Sequence, residues 1–221
     1  MEARNVFYLD DYARVKGYRL IEIEEGKVEL AIPDEVHRLL TRALNHYIFK
    51  FSDEVVRDIL QGIREEMISG GWVNPLFRLH EVLVYLNNAV MFNDRELETL
   101  CSLASAIHEI AEREGIEELA DYVNNYVINP PMVNILFRIY VKKFLFLKQP
   151  ARYAHITFYK VKDSSLHSIL FETQADSEGI FTLKIVKLMP YALYIRYKDF
   201  YSVVKEIALA DKEVELPLKK L

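Results

Sequence analysis

The chain has 221 residues, of which 51% are hydrophobic, 28% charged and 12% aromatic, a composition typical of globular proteins. Seven glycines and seven prolines are too few for a collagen-like or low-complexity chain. The formal charge of −5 gives the whole chain no general attraction to nucleic acids or anionic membranes. At about 150 residues per domain, the length allows one large domain or two small ones.

Cysteine content and apolar runs narrow the expected location. A single cysteine, Cys101, excludes an internal disulfide and therefore a disulfide-stapled secreted scaffold. The opening sequence MEARNVFYLDDYARVK lacks an apolar stretch of signal-peptide length. The most apolar run, 132–147, is shorter than the roughly 18 apolar residues that span a bilayer. It is also interrupted by Arg138, Lys142 and Lys143. We expect a cytoplasmic protein without a membrane span, and a virion or another export route is left open.

The first half of the chain predicts a hairpin followed by helices. Within residues 18–32, Ile21 and Ile23 alternate with glutamates and Glu25-Gly26 forms a turn, a pattern typical of a β-hairpin. After Pro33 the apolar spacing lengthens to three and four residues, which predicts amphipathic helices. Residues typical of helix N-termini stand at Asp34, Ser52-Asp53, Asn74-Pro75 and Asn93-Asp94. Gly115 ends the fourth helix and a fifth, shorter segment runs to about Asn129. Four or five helices with short connections favour an antiparallel helical bundle.

The pattern changes after Asn129-Pro130-Pro131. Seven β-rich runs follow at spacings of about ten residues, which favours a β-sandwich over a βαβ sheet. The predicted strands are Phe137 to Phe144, Ala154 to Val161, Ile169 to Thr173, Ile180 to Val186, Tyr191 to Tyr197, Ser202 to Leu209 and Val214 to Leu218. The sequence therefore predicts an α+β protein of two domains, 1–131 and 132–221.

The two predicted domains carry opposite charge. Residues 1–131 hold 13 Lys and Arg against 24 Asp and Glu, a net charge of −11, whereas residues 132–221 hold 15 against 9, a net charge of +6. Such surfaces attract each other within one molecule or between copies of it. The whole-chain charge therefore does not exclude a polyanion as a partner of the second half.

A set of positions in the second half carries a family resemblance. Its features are a proline before a small residue, an acidic glycine turn followed by an aromatic residue, and alternating apolar strands. The positions are Ile139, Val141, Pro150, Ala154, Ile156, Phe158, Thr173, Asp176, Gly179, Phe181, Leu183, Tyr191, Leu193 and Ile195, followed by Ile207, Leu209, Val214, Leu216 and Leu218. With these residues the second half resembles the carboxypeptidase regulatory-like, transthyretin-related β-sandwich.

This resemblance implies a seven-stranded Ig/transthyretin-like sandwich that serves as a non-catalytic accessory or adhesion-like module. It brings no catalytic residues to this chain. Gly179 independently predicts a turn with positive φ, which only glycine adopts freely. Residues 1–131 resemble no family.

The sequence offers little for catalysis or cofactor binding. The sequence contains neither of the glycine-rich phosphate-binding patterns, G-x-x-x-x-G-K-S/T and G-x-G-x-x-G, so a bound nucleotide is not expected. His108 and Glu112 lie one helical turn apart, but two ligands do not make a metal site. Cys101 and His108 are about 10 Å apart along a helix, too far for a catalytic dyad, and Cys101 on the apolar stripe is expected in the core. We therefore expect no metal ion, no cofactor and no catalytic residue. The sequence favours a protein that is not an enzyme.

The remaining candidate is a surface of the strands. If Ile156, Phe158, Phe181, Leu183, Leu193 and Ile195 face the core, the alternation of side chains directs their neighbours outward. Those neighbours are His155, Thr157, Tyr159, Thr182, Lys184, Tyr194 and Arg196. Because tyrosine and arginine are favoured at interfaces, the predicted partner-binding residues are Tyr159, Lys184, Tyr194 and Arg196. The same tyrosines could stack nucleic-acid bases, or lie on the surface without a role.

Three hypotheses follow. The first is a non-catalytic structural or adaptor protein that acts through protein–protein contacts, including contacts between its own copies. The alternative is a nucleic-acid-binding protein that uses the basic aromatic face of the sandwich. The third is an enzyme, which would need a polar pocket in the helical half formed by two of His80, Glu81, His108 and Glu112.

Overall fold

Five α-helices and ten β-strands lie along the part of the chain that the structure describes. This computed structural model describes residues 19–24, 27–31, 34–69, 76, 78–89, 94–143, 147–162 and 165–220. Helices dominate the first half and a mixed, curled sheet the second, so the fold is α+β. By its internal contacts the chain divides into two compact units, Met1–Val82 with Asp94–Asn129, and Leu83–Asn93 with Pro130–Leu221.

The first elements form the predicted hairpin. Strand β1 (Arg19–Glu24) pairs antiparallel with β2 (Lys27–Ala31), and Leu20 lies opposite Leu30. The predicted turn at Glu25-Gly26 lies outside the described residues. The alternation of apolar residues and glutamates is therefore confirmed as a strand signal.

The helices occupy the positions that the apolar spacing predicted. They are α1 (Asp34–Ile48), α2 (Glu54–Ser69), α3 (Leu79–Asn88), α4 (Asp94–Arg113) and α5 (Glu117–Val123), the last continuing into a π-helical turn, Asn124–Ile128. In the first unit α1 packs against α2 and α4, and α4 packs against α5. The apolar stripe of α1 is buried at Val36, Leu40, Leu44 and Ile48. The predicted helix start at Asn74-Pro75 lies outside the described residues.

Two carboxylates complete the start of α2. Asp53 Oδ1 accepts a hydrogen bond of 3.0 Å from the Val56 N–H, which is the bond of an N-cap residue. Glu96, on the first turn of α4, accepts hydrogen bonds from the N–H groups of Ser52 at 2.8 Å and Asp53 at 3.2 Å, and from the Ser52 hydroxyl. These bonds join the first turn of α4 to the two residues that precede α2, where backbone N–H groups have no intrahelical partner. Glu96 itself is only 1% exposed.

Helix α4 corrects one expectation. Gly115, at φ +72°, follows its end as predicted. Cys101, however, is exposed and not in the core. The buried face of α4 consists of Glu96, Leu100, Leu103, Ala104, Ile107 and Ala111. Because consecutive helical residues lie about 100° apart, the residue after Leu100 points away from this face.

Eight strands build the sheet of the second unit. They are β3 (Met132–Lys143), β4 (Leu147–Pro150), β5 (His155–Lys162), β6 (Ser165–Gln174), β7 (Ile180–Val186), β8 (Pro190–Tyr197), β9 (Phe200–Ile207) and β10 (Lys212–Lys220). Each of the seven predicted runs overlaps a strand, although β9 ends at Ile207 and not at the predicted Leu209. The prediction missed β4, whose four residues are too few to show alternation. The order is β4-β3-β10-β9-β8-β5-β6, with β7 also paired to β3. All these pairs are antiparallel except β10 with β3.

Strand β3 shares one of its edges between two partners. β10 pairs with one edge of β3, whereas β7 pairs with residues 132–138 and β4 with residues 140–143 on the other. The change of partner occurs at Ile139, whose N–H donates to the Gly179 carbonyl at 2.8 Å and whose carbonyl accepts the Ala151 N–H at 2.9 Å. Gly179 has φ +74°, and a Cβ there would lie 2.6 Å from the Ile139 oxygen. The predicted positive-φ turn is therefore confirmed, and this approach to β3 excludes any side chain.

The core of the second unit lies on the inner face of this sheet. The six residues predicted to face inward, Ile156, Phe158, Phe181, Leu183, Leu193 and Ile195, are all buried. Phe137 stacks on Phe181 with ring centroids 6.1 Å apart, and Phe158 on Phe171 at 4.9 Å. Each stack joins two paired strands, as expected for cross-strand aromatic pairs.

A side chain covers the free edge of β7 at one residue, Lys184. Among the described strands, β7 pairs only with β3. Asn88, the last residue of α3, donates its Nδ2 to the Lys184 carbonyl at 2.7 Å, and its Oδ1 accepts the Lys184 N–H at 2.8 Å. The amide thus occupies both backbone groups of Lys184, as a neighbouring strand would. Because an unpaired edge invites strand addition, Asn88 protects β7.

Replacing Gly179 with alanine is expected to lower the free energy of unfolding by at least about 1–2 kcal/mol, because an L-residue at positive φ is strained and its Cβ would clash with the Ile139 oxygen. The matched control is Gly62→Ala in α2, where an added Cβ meets no atom within 4 Å. This control should raise the free energy by about 0.5–1 kcal/mol. Urea unfolding measures both, and shifts of the same sign would contradict the prediction.

Replacing Asn88 with alanine is expected to destabilise the second unit by about 1–3 kcal/mol, because two backbone groups of β7 lose their partner. Amide hydrogen exchange at Lys184 should accelerate accordingly. The control is Asn87→Ala, since the Asn87 amide bonds to the Leu83 carbonyl of its own helix. Equal exchange at Lys184 in the two variants would show that the Asn88 amide does not protect the edge.

Candidate protein-interaction face

Strands β6, β5, β8 and β9 lie side by side and present one continuous surface, which we call the outer face. Cross-strand partners point to the same side of a sheet, so the register assigns the side chains in rows. The rows are Gln174, His155, Arg196 and Tyr201; Glu172, Thr157, Tyr194 and Val203; Ile169, Tyr159, Ala192 and Lys205; and Pro190 with Ile207.

The outer face exposes apolar side chains around a shallow centre. Ile169 is 51% exposed, Val203 52% and Ile207 53%. At the centre, Thr157 and Ala192 are buried, and each is the cross-strand partner of a half-buried tyrosine, Tyr194 and Tyr159 respectively. Thr157 and Ala192 are smaller than the tyrosines beside them, so the surface is uneven and another molecule can pack onto it.

Thr157 departs from its expected exposure. It lies in an outward row as predicted, but it is only 4% exposed because larger side chains flank it. Its hydroxyl donates to Glu172 Oε1 at 3.2 Å. Glu172 Oε2 lies 3.8 Å from His155 Nε2. The carboxylate therefore lies near one edge of the outer face, in the row of Thr157 and next to the row of His155.

The charges at the rest of the face are positive. Arg196 and Lys205 are exposed and lie in different rows. The rings of Tyr194 and Tyr201 have centroids 6.2 Å apart. The face thus combines tyrosines and an arginine, which are residue types enriched at protein interfaces, with exposed aliphatic side chains.

The structure brings three of the four predicted partner-binding residues together. Tyr159, Tyr194 and Arg196 share the outer face. Lys184 does not, because it lies on β7, which is paired to β3 and separated from β8 by β3, β10 and β9 in the sheet order. Its side chain is exposed and its backbone bonds to Asn88.

Sequence reasoning missed the contribution of β9 and β6 to the face. Alternation along β9 indicates that Tyr201, Val203, Lys205 and Ile207 share a side, and these are the residues that join the outer face. The alternate set contains Val204, which is buried. The sequence signal was therefore present, but only the register with β8 shows which set faces outward.

The polar residues considered for a site in the helices bond to different partners. His80 Nδ1 lies 2.5 Å from the Tyr122 hydroxyl, whereas Glu81 pairs with Arg78 at 3.1 Å. Burial raises the pKa of Tyr122, so its hydroxyl stays protonated and can donate to His80.

His108 Nδ1 lies 3.7 Å from Glu112 on the next turn of α4, as their spacing predicted. Within the described ranges, no group of three His, Cys, Asp or Glu side chains is placed to hold a metal ion. In the same part of the chain, no helix has the length and apolarity needed to cross a membrane.

Comparisons with known proteins leave the family open. No family model matches the chain, and no curated protein matches it. Among solved structures, GBS52, the minor pilin of the Gram-positive pathogen Streptococcus agalactiae, is 13% identical with a TM-score of 0.31; the match covers 43% of this chain and 47% of the pilin. (S)-allantoin synthase is 10% identical with a TM-score of 0.27, over 82% of this chain and 94% of that one. Similarities at these TM-scores carry no argument about fold or function.

Proposed function

We propose that this protein is a non-catalytic structural or adaptor protein that binds another protein through its outer face. The observation that carries the proposal is the exposure of Ile169, Val203 and Ile207 to more than half of their surface, on the face that also holds Tyr194 and Arg196. Covering such side chains removes apolar surface from water, at about 25 cal/mol per Å². A partner protein supplies the apolar surface that does so.

The exposed aliphatic side chains favour a protein over a nucleic acid. Single-stranded nucleic acids bind through stacking on aromatic rings and through cations that contact phosphates. Tyr194, Arg196 and Lys205 would serve both kinds of partner. Ile169, Val203 and Ile207 serve a protein partner better, since a sugar–phosphate chain offers little apolar surface to cover them. Nucleic-acid binding is therefore the second candidate.

A second copy of this chain carries negative charge on residues 1–131, which complements the positive charge of the strand half. Residues 132–221 carry +6 and residues 1–131 carry −11, and complementary charge speeds and orients association. Contact between the basic strands of one copy and the acidic helices of another neutralises both. We therefore propose self-association as the form that the protein contact takes.

The finer features of the fold belong to the same proposal. We propose that the curled sheet is a β-sandwich of the carboxypeptidase regulatory-like type. Gly179 in its positive-φ turn and the burial of Ile156, Phe158, Leu183 and Leu193 support this, whereas Ile207 and Leu209 of the quoted pattern are exposed. We further propose that the helices form an antiparallel bundle, that the domains are 1–131 and 132–221, and that the protein is cytoplasmic. Short connections between helices support the bundle, and the change from helices to strands between Ile128 and Met132 supports the domain boundary. The single cysteine supports the location.

Self-association of the full chain is expected to weaken when Val203 is replaced with aspartate. The dimer dissociation constant should rise at least about tenfold, because an unpaired carboxylate is costly to bury. Light scattering after size-exclusion chromatography over a range of protein concentrations measures the constant. The control is Leu147→Asp, which places the same charge at a side chain that is 69% exposed on β4, outside the outer face.

Raising the salt concentration from about 0.05 M to 0.5 M should also weaken the dimer, since screening shortens the reach of surface charge. A wild-type chain that stays monomeric at every concentration would overturn self-association. A single-stranded oligonucleotide that binds the wild type with a steep salt dependence, and Val203→Asp equally well, would replace the proposal with the nucleic-acid alternative.

A further inference from the structure

A pocket of about 410 Å³ opens on the second unit beside the change of partner along β3. We call it the β4 pocket. Its lining comes from β3, β4, the start of β7, β10 and two turns. The lining residues are Arg138, Ile139, Tyr140, Lys148, Pro150, Arg152, Ser177, Glu178, Ile180 and Glu215. This volume is within the range of small-molecule sites.

The pocket combines an apolar lining with charged groups. Ile139 is 1% exposed and Tyr140 8%, and Pro150 and Ile180 add further apolar surface. The space lies where β3 leaves β7 and begins to pair with β4. The Gly179 turn, which packs on Ile139, therefore determines its position.

Two of the three cations in the lining are already paired. Arg138 forms an ion pair with Glu213 on β10, and Lys148 Nζ lies 2.7 Å from Glu215 Oε2. Lys148 Nζ also lies 4.7 Å from the centre of the Tyr140 ring. Hydrogen bonds to these carboxylates raise the pKa of Arg138 and Lys148, so both side chains keep their charge.

The third cation, Arg152, differs from Arg138 and Lys148 because no carboxylate of the described residues pairs with it. Its side chain makes no ion pair or hydrogen bond to any residue that the structure describes. The turn that carries it is held in place, because the Tyr153 N–H donates to the Asp176 carbonyl at 3.1 Å and the Ala154 N–H to the Ala151 carbonyl at 3.1 Å. Tyr153 has φ +59°, a conformation that non-glycine residues adopt only where neighbours enforce it.

We propose that the β4 pocket binds a monovalent organic carboxylate, with Arg152 as the main partner of the anion. Glu213 and Glu215 already neutralise Arg138 and Lys148, so Arg152 is the cation of the lining that an added carboxylate would pair with. A guanidinium pairs with a carboxylate through two parallel hydrogen bonds. The body of the ligand lies on Ile139, Tyr140 and Ile180. Glu178 repels a second negative charge, which selects against phosphate dianions.

This site is independent of the outer face, because it lies on β3, β4 and β10, whereas the outer face lies on β6, β5, β8 and β9. Two sources of the carboxylate fit the same chemistry. One is a free organic acid, and the other is the C-terminal carboxylate of a polypeptide.

Titration of the full-length protein with sodium benzoate, followed by amide NMR shifts and calorimetry, tests the proposal. Benzoate should shift the amides of Tyr140, Arg152 and Gly179, and neutral benzamide should bind at least about tenfold more weakly, since hydrogen bonds to charged groups carry the affinity. Arg152→Gln should weaken benzoate binding by about the same factor. The control Lys187→Gln removes an exposed charge outside the pocket and should leave the affinity unchanged.

A second variant addresses the acidic side of the pocket. Glu178→Gln should tighten benzoate binding by severalfold, because it removes a repelling charge. Phenyl phosphate should bind the wild type more weakly than benzoate. N-acetyl-phenylalanine, compared with its amide and with benzoate, separates the two sources: tighter binding of N-acetyl-phenylalanine than of benzoate identifies a polypeptide terminus, and the reverse a free acid. Absence of benzoate binding, equal loss in Arg152→Gln and Lys187→Gln, or preference for phenyl phosphate would overturn the proposal.

Discussion

The second unit depends on how β3 divides one edge between β7 and β4. The division requires a residue without a side chain at Gly179, because the turn approaches the Ile139 carbonyl too closely for a Cβ. β10 pairs with the opposite edge in parallel, so the last strand of the chain joins the first strand of the sheet. Pairing of residues so distant in sequence is slow to form, and it makes the completed sheet a cooperative structure that needs its C-terminal strand.

The two surfaces proposed for binding differ in physical character. The outer face offers broad relief with exposed Val203 and Ile207, so its affinity would come from apolar area. The β4 pocket is small and rich in charge, so its affinity would come from Arg152 and its selectivity from the nearby Glu178. A protein with both would recognise a partner at one surface and a small anion, or a chain terminus, at another.

Local pattern predicted the helices and most strands because each depends on the spacing of neighbouring apolar residues. It failed for β4, which is too short, and for Cys101, whose neighbour Leu100 is buried in its place. It grouped Tyr194 with Lys184, since alternation tells which side of a strand a residue occupies but not which strands are adjacent. The β4 pocket could not be predicted, because its lining comes from segments whose contacts, such as Gly179 with Ile139, are set by tertiary structure.

Asn88 also bears on how the chain is made. Protein synthesis proceeds from the N-terminus, and domains begin to fold as they emerge. Asn88 precedes Lys184 by 96 residues, so the amide that covers β7 leaves the ribosome well before β7 itself. Asn88 is therefore synthesised before β7, and its amide is present when the Lys184 backbone groups first need a hydrogen-bond partner. A fragment that begins at β3 would lack Asn88 and would leave the backbone groups of Lys184 on β7 without this partner.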